Sequence, residues 1–230
     1  MTESGTATEM ETVTSKDIAD DQSQTAVDAT VKELIETAYM KYEKCRFSEA
    51  LDAVEKLLVV DPNHAQGLLL NALLLEQMER EEESQAIYEK VLDNHPEFSQ
   101  AYREFGRFLL LRENTLGAAE SYLLRGLTKN PQDPLAHALL AEVYVRTDRK
   151  QQAFLHLKIA VRYTTEDHRY FETCAKVLSN LEEEEEVRLL SRILVSHMND
   201  RGVRIRFKRA LRAQKKERRG FTRYLKKVLP

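Results

Sequence analysis

Residues 99–133 read SQAYREFGRFLLLRENTLGAAESYLLRGLTKNPQD. Two helical apolar patterns flank a short turn bearing Asn114 and Gly117, and Pro131 closes the stretch. A small residue stands at Gly106 in the first pattern, and another at Ala119 opens the second. The same punctuation recurs along the chain. Pro62, Pro96 and Pro131 are separated by 34 and 35 residues, which predicts repeating helix–turn–helix units. Working outward, residues 31–64, 65–98 and 134–167 align with the quoted stretch. Their first helices carry Ala38, Ala72 and Ala141 in the Gly106 column, and their second carry Ala50, Ser84 and Ala153 in the Ala119 column. Seven residues later come Leu57, Val91, Gly126 and Ala160, the least faithful column. Small side chains at such places let paired helices approach closely, while larger apolar neighbours fill the space between units.

These columns resemble the tetratricopeptide repeat over residues 31–167, four units, with Tyr102, Phe105 and Gly106 as the best single match. The family places a tryptophan near the start of the first helix; Leu34, Leu68, Tyr102 and His137 stand there instead. The third unit has one extra residue, expected at or near Asn114–Gly117, and Thr165 replaces the fourth terminal proline. A pentatricopeptide period of 35 fits the recurrent proline and central small residues less well. The expected fold is all-α, an α-solenoid of helix–turn–helix units. Residues 168–200 form a degenerate fifth pair that caps the stack, with Tyr170, Phe171, Ala175, Val177 and Leu178 on one helix and Val187, Leu189, Leu190, Ile193 and Leu194 on the next. The Glu182–Glu186 run reads as solvated acid in a helix's first turn.

The resemblance implies a concave groove lined by the second, fifth, sixth, ninth and twelfth residues of each unit. The candidate partner-binding residues are then Ile35, Tyr39, Tyr42, Gln66, Leu69, Leu70, Leu73, Arg103, Arg107, Leu110, Leu139 and Glu142. Leu69, Leu70 and Leu73 lie in a stretch that is apolar nearly all round, so core and groove are equally open readings for them. Exposed, they would suit an apolar segment or amphipathic helix. Arg103 and Arg107, one turn apart, suit an acidic group. Family members that hold heat-shock chaperone tails use a carboxylate clamp of Lys, Asn and Arg. Ile35, Tyr39, Leu70, Gln100 and Glu104 stand at the corresponding places, and the window one unit on is no better, so no such clamp is expected.

Charge divides the chain into zones. The total of −3 over 230 residues conceals +12 in residues 201–230 and −15 in the rest. Residues 1–30 hold seven acids, one lysine and almost no aliphatic stripe, and are expected to be a disordered acidic tail. Residues 201–230 are expected to be a basic, amphipathic helical extension. Its candidate contacts are Arg204, Arg206, Lys208, Arg209, Arg212, Lys215, Lys216, Arg218, Arg219, Arg223, Lys226 and Lys227. Val203, Phe207, Ala210 and Leu211 would cover the last apolar face of the stack. An anionic membrane surface, an acidic protein and a nucleic-acid backbone are the three partners such a tail fits.

Site chemistry is absent from the pattern. There is no Gly-rich phosphate loop, no paired-histidine metal motif and no Cys-x-x-Cys. Cys45 and Cys174 are unclustered, and six histidines are scattered over different units. The expectation is a protein without catalysis, metal or cofactor, working in a reducing cytoplasm, peripheral at the inner membrane face if the tail meets lipid. Its role is protein binding in the groove: adaptor, assembly factor or specialised chaperone. A membrane scaffold and a nucleic-acid- or ribosome-associated factor are the alternatives.

Overall fold

The computed structural model describes residues 15–112, 114–181, 184–209, 211 and 212. The chain forms two compact units, Met1–Asn94 and His95–Pro230. The first contains α1 (Ser15–Glu43), α2 (Phe47–Val60), α3 (Ala65–Gln77) and α4 (Glu81–Asn94). The second contains α5 (Ser99–Leu110), α6 (Leu116–Lys129), α7 (Pro134–Arg146), α8 (Lys150–Ala160), α9 (His168–Ser179) and α10 (Glu184–His197), followed by α11 over 201–209. Among the described residues there is no strand, and no helix is long and apolar enough to cross a membrane.

Helices α3, α5, α7 and α9 open at residues 65, 99, 134 and 168, whereas the first helix of the first repeat, α1, opens at Ser15. The small columns explain the pairing. Ala38, Ala72 and Ala141 are fully buried, as are Ala50, Ser84, Ala119 and Ala153. A Cβ on Gly106 would lie 2.6 Å from Leu123 Cγ, so α5 and α6 can pack only without a side chain there. The Ser84 hydroxyl donates to the Ala72 carbonyl at 2.9 Å, joining α4 to α3 through the two small columns themselves. Gly126, where other repeats carry Leu57 or Val91, lets α6 lie close on the backbone of α5: a Cβ on Gly126 would meet Tyr102 Cβ at 3.0 Å and the Ser99 carbonyl oxygen at 3.4 Å.

A second period lies in the backbone. Cys45, Glu79, Asn114 and Asp148 have φ of 56°, 61°, 59° and 57°, one left-handed residue in each turn between paired helices. The residue after it donates its amide five residues back in three of the turns: Arg46 to Lys41 at 2.9 Å, Arg80 to Leu75 at 2.9 Å and Arg149 to Tyr144 at 2.7 Å. This is Schellman closure of a helix C-terminus. Each left-handed residue stands five before the small residue of the second helix, so the extra residue of the third repeat enters ahead of Asn114, not after it. There the Leu109 carbonyl accepts from the Arg112 amide at 3.1 Å and from the Thr115 hydroxyl. Asn and Asp tolerate this conformation, but Glu79 bears the full Cβ penalty. Glu79→Gly should raise stability by about 0.5–1 kcal/mol, read from urea midpoints, because glycine adopts positive φ without that clash.

One sequence boundary shifts. Residues 15–30, placed in a disordered tail, belong to α1, which starts at Ser15; residues 1–14 lie outside the described chain. At the other end Phe207 of α11 is 3% exposed and Val203 is half-buried, and both line a depression with Phe171 of α9. Ala210 and the tail residues Lys215, Lys216, Arg218, Arg219, Arg223, Lys226 and Lys227 lie outside the described residues. In the fifth pair the expected apolar residues of α9 are buried, whereas Leu189 of α10 is exposed. Glu182 and Glu183 are not described, while Glu186 receives a 2.7 Å hydrogen bond from Lys158.

Histidine supplies an acid-sensitive joint between α7 and α8. His137 Nε2 donates to the Pro131 carbonyl at 3.0 Å, leaving Nδ1 to accept from His156 Nδ1–H at 2.9 Å. Burial pushes both imidazoles down, and the neighbouring His137 charge helps hold His156 at about 4, against the opposing pull of Glu120; Asp133 acts likewise on His137. Tyr144 packs on His156 with ring centroids 5.3 Å apart, and Arg149 lies over Tyr144 at 4.5 Å. A folded state that prefers neutral histidine is fully stabilised above the unfolded value of 6.5, and loses that contribution as pH falls from there toward 4. The melting temperature should fall across this interval, and His156→Asn, whose amide can replace the Nδ1 donor, should flatten the fall.

Candidate functional site

The first helices of three successive pairs, α5, α7 and α9, line a depression of about 220 Å³ in the second unit. Leu110 and Leu139 supply its apolar floor, with the exposed Leu111 at one edge. Arg107 on α5, Glu142 on α7, and Arg169, Glu172 and Lys176 on α9 supply its charge. Lys176 donates to the nearly buried Glu142 carboxylate, tying α9 to α7. Arg146 on α7 donates to the Leu110 carbonyl at the end of α5. Rim charges of both signs thus stand around an apolar floor.

Beneath this face lies an ionic network centred on Glu104, whose side chain is 1% exposed. It accepts from Arg103 Nε and Nη2 at 3.1 and 2.9 Å, from Arg107 Nε at 2.9 Å, and from Arg169 Nη1 and Nη2 at 3.0 and 3.1 Å. Burial by itself would raise the Glu104 carboxyl. The guanidiniums of Arg103, Arg169 and Arg107 more than offset it and hold the group at about 2. Two of these arginines reach helix starts. Arg103 Nη1 donates to Asp133 at 2.8 Å, and Arg169 Nη2 donates to Asp167 at 2.7 Å. Asp133 and Asp167 are themselves N-caps, accepting from the Ala136 and Arg169 amides at 3.0 Å each. The network therefore fixes the starts of α7 and α9 to the middle of α5.

The expected groove residues divide accordingly. Arg107, Leu110, Leu139 and Glu142 line this depression. Ile35 and Gln66 line another, of about 610 Å³, in the first unit beside Lys32 and His64. Gln66 is exposed, but Ile35 packs in the core cluster with Ala38, Leu57, Leu70 and Leu74. Leu69, Leu70 and Leu73 are all buried, which settles the open choice for them as core. Their helix is apolar on every side because it is enclosed. Tyr39 and Tyr42 are half-buried against the same cluster, Tyr42 with its ring 5.9 Å from Phe47. Arg103 and Arg107 are engaged by Glu104 and Asp133 of this chain, which corrects their reading as a pair held ready for a partner's acid.

Arg169, Glu172 and Lys176 were missing from the expected set, although a signal for them exists. They are the second, fifth and ninth residues of the fifth pair, the groove columns carried one pair further. Glu104 as an ionic hub has no such signal, since its partners lie 1, 3 and 65 residues away.

No protein-family model matches the chain, and no curated protein matches it. Solved structures do. A tetratricopeptide protein of Thermus thermophilus, TTC0263, matches with a TM-score of 0.65 at 18% identity, over 79% of this chain and 98% of its own. PilF of Pseudomonas aeruginosa matches at 0.64 and 16% identity, over 89% and 94%. YrrB, described as a tetratricopeptide protein with an unusual peptide-binding site, matches at 0.51 and 16% identity, over 80% and 98%. Paired helices recurring at 34 residues, small residues at each crossing and likeness to such proteins over most of its length lead to one conclusion: this chain has the tetratricopeptide-repeat fold.

Proposed function

We propose that the chain is a non-catalytic protein-interaction module that holds a segment of a partner against the α5, α7 and α9 face of its second unit. The observation that carries this reading is the depression itself, an apolar floor of Leu110 and Leu139 within a rim of Arg107, Glu142, Arg169, Glu172 and Lys176. The floor gains from burying one or two apolar side chains, and the mixed rim orients a segment with polar flanks. The Glu104 network keeps the three helices in register before binding, which lowers the ordering cost of association. The peptide-binding site described for YrrB, a protein of like fold, supports the same use. Adaptor, assembly factor and specialised chaperone are the roles this activity serves.

The test uses peptides selected from a phage-displayed random library panned on the full chain. Leu111 is 63% exposed at the rim. Leu111→Glu should weaken the selected peptides roughly five- to thirty-fold, the effect of losing about 1–2 kcal/mol at an interface. Its melting temperature should stay unchanged. Undiminished binding by this variant would place the contact elsewhere.

A further inference from the structure

Helix α11 presents a row of cations that the groove does not use. Its apolar side faces the protein: Phe207 is buried, and Val203 lines two depressions with Phe171 of α9. Arg206 lines one of them beside Glu172. The opposite side carries Arg201, Arg204, Lys208 and Arg209, continued by Arg212 where the chain is again helical at 211 and 212. All five are exposed. No carboxylate among the described residues pairs with any of them. Arg204 alone has a described bond, from Nε to the Met198 carbonyl at 2.6 Å, which fixes the start of the helix and leaves its other guanidinium N–H groups outward. Arg204 and Lys208 are one turn apart, about 6 Å along the axis. The result is a line of positive charge on a helix seated by Phe207.

We propose that this face holds the phosphate backbone of a nucleic acid without reading its sequence. Three features favour that partner. Ile205, 58% exposed, is the one large apolar side chain on the outward face among the described residues, so the helix has almost nothing to insert into a bilayer. A strand carrying a charge about every 3.4 Å meets every cation of the row at once and releases counterions at each. Four of the five cations are arginine, whose planar fork matches phosphate oxygens in pairs. Among the described residues no base-reading element accompanies them, so the contact they make is one of charge. Residues 213–230 add seven more Lys and Arg to the same end of the sequence.

The test is fluorescence anisotropy of the full chain with two labelled DNA duplexes of equal length and unrelated sequence, titrated with salt. Both duplexes should bind alike, with log K falling linearly against log salt. Replacing three contacts by Arg201→Ala, Lys208→Ala and Arg212→Ala together should reduce the slope by about 2.7, at ~0.9 per phosphate contact. Circular dichroism should be unchanged, because all three side chains are exposed. Equal slopes for the two proteins would overturn the proposal, as would no binding at low salt. Capture by phosphatidylserine vesicles without duplex binding would assign the face to a membrane. Displacement of duplex by poly-glutamate of equal charge would assign it to acidic protein.

Discussion

Glu104→Gln is expected to destabilise the second unit by about 3–5 kcal/mol, the effect of removing one partner from a buried ionic cluster. The carboxylate is 1% exposed and receives bonds from Arg103, Arg107 and Arg169. Glutamine preserves the volume and one acceptor, but the three guanidiniums lose the charge that compensates their own loss of water. Asp133 and Asp167 remain for Arg103 and Arg169. Urea unfolding at neutral pH measures the loss. A second signature separates this mechanism from simple misfit. A carboxyl held at about 2 when folded, against an ordinary 4.5, contributes stability above 4.5 that fades as pH falls toward 2. The wild type should show that fading and the variant should not. A loss below about 1 kcal/mol would mean that water already screens the network.

Leu70→Glu should abolish folding of the first unit at ordinary temperature. Leu70 is fully buried in a cluster with Ile35, Ala38, Leu57 and Leu74. Removing its side chain alone costs about 2–5 kcal/mol. The substitution also places a carboxyl among apolar groups, so the total exceeds the ~4–5 kcal/mol that marks exceptional single changes. Circular dichroism should show helicity lost from this unit. Gln66→Glu, four residues earlier on the same helix and exposed, should leave the spectrum unchanged. An intact spectrum in Leu70→Glu would restore that leucine to a solvent-facing groove.

These two residues show where sequence reading succeeds and where it stops. The repeat was legible because close helix crossing demands small residues at fixed spacing, and Ala72, Gly106, Ala119 and Ala141 meet that demand locally. Leu70 was ambiguous because its helix is apolar all round, and periodicity then carries no direction. The left-handed residues were hidden for a different reason. Cys45, Glu79 and Asp148 sit where glycine is favoured, and the Schellman hydrogen bonds that hold them belong to the backbone. Arg103 and Arg107 were read as outward cations since the enclosure of Glu104 beside them, and the bonds from Arg103 to Asp133 and from Arg169 to Glu104, depend on helices α5, α7 and α9 lying side by side. Local pattern thus reaches the crossings. The ionic network requires the assembled layer.

The central claim is that a partner segment lies on the α5, α7 and α9 face. Site-specific photocrosslinking tests it most directly, with a benzoylphenylalanine placed in turn at Leu111, Thr173, Leu124 and Leu155, and the peptides selected on the full chain as targets. Leu111 and Thr173 line the depression, whereas Leu124 and Leu155 are exposed on the second helices α6 and α8. Crosslinks from positions 111 and 173, with none from 124 or 155, are the predicted result. Crosslinks from 124 or 155 with none from 111 and 173 would contradict it.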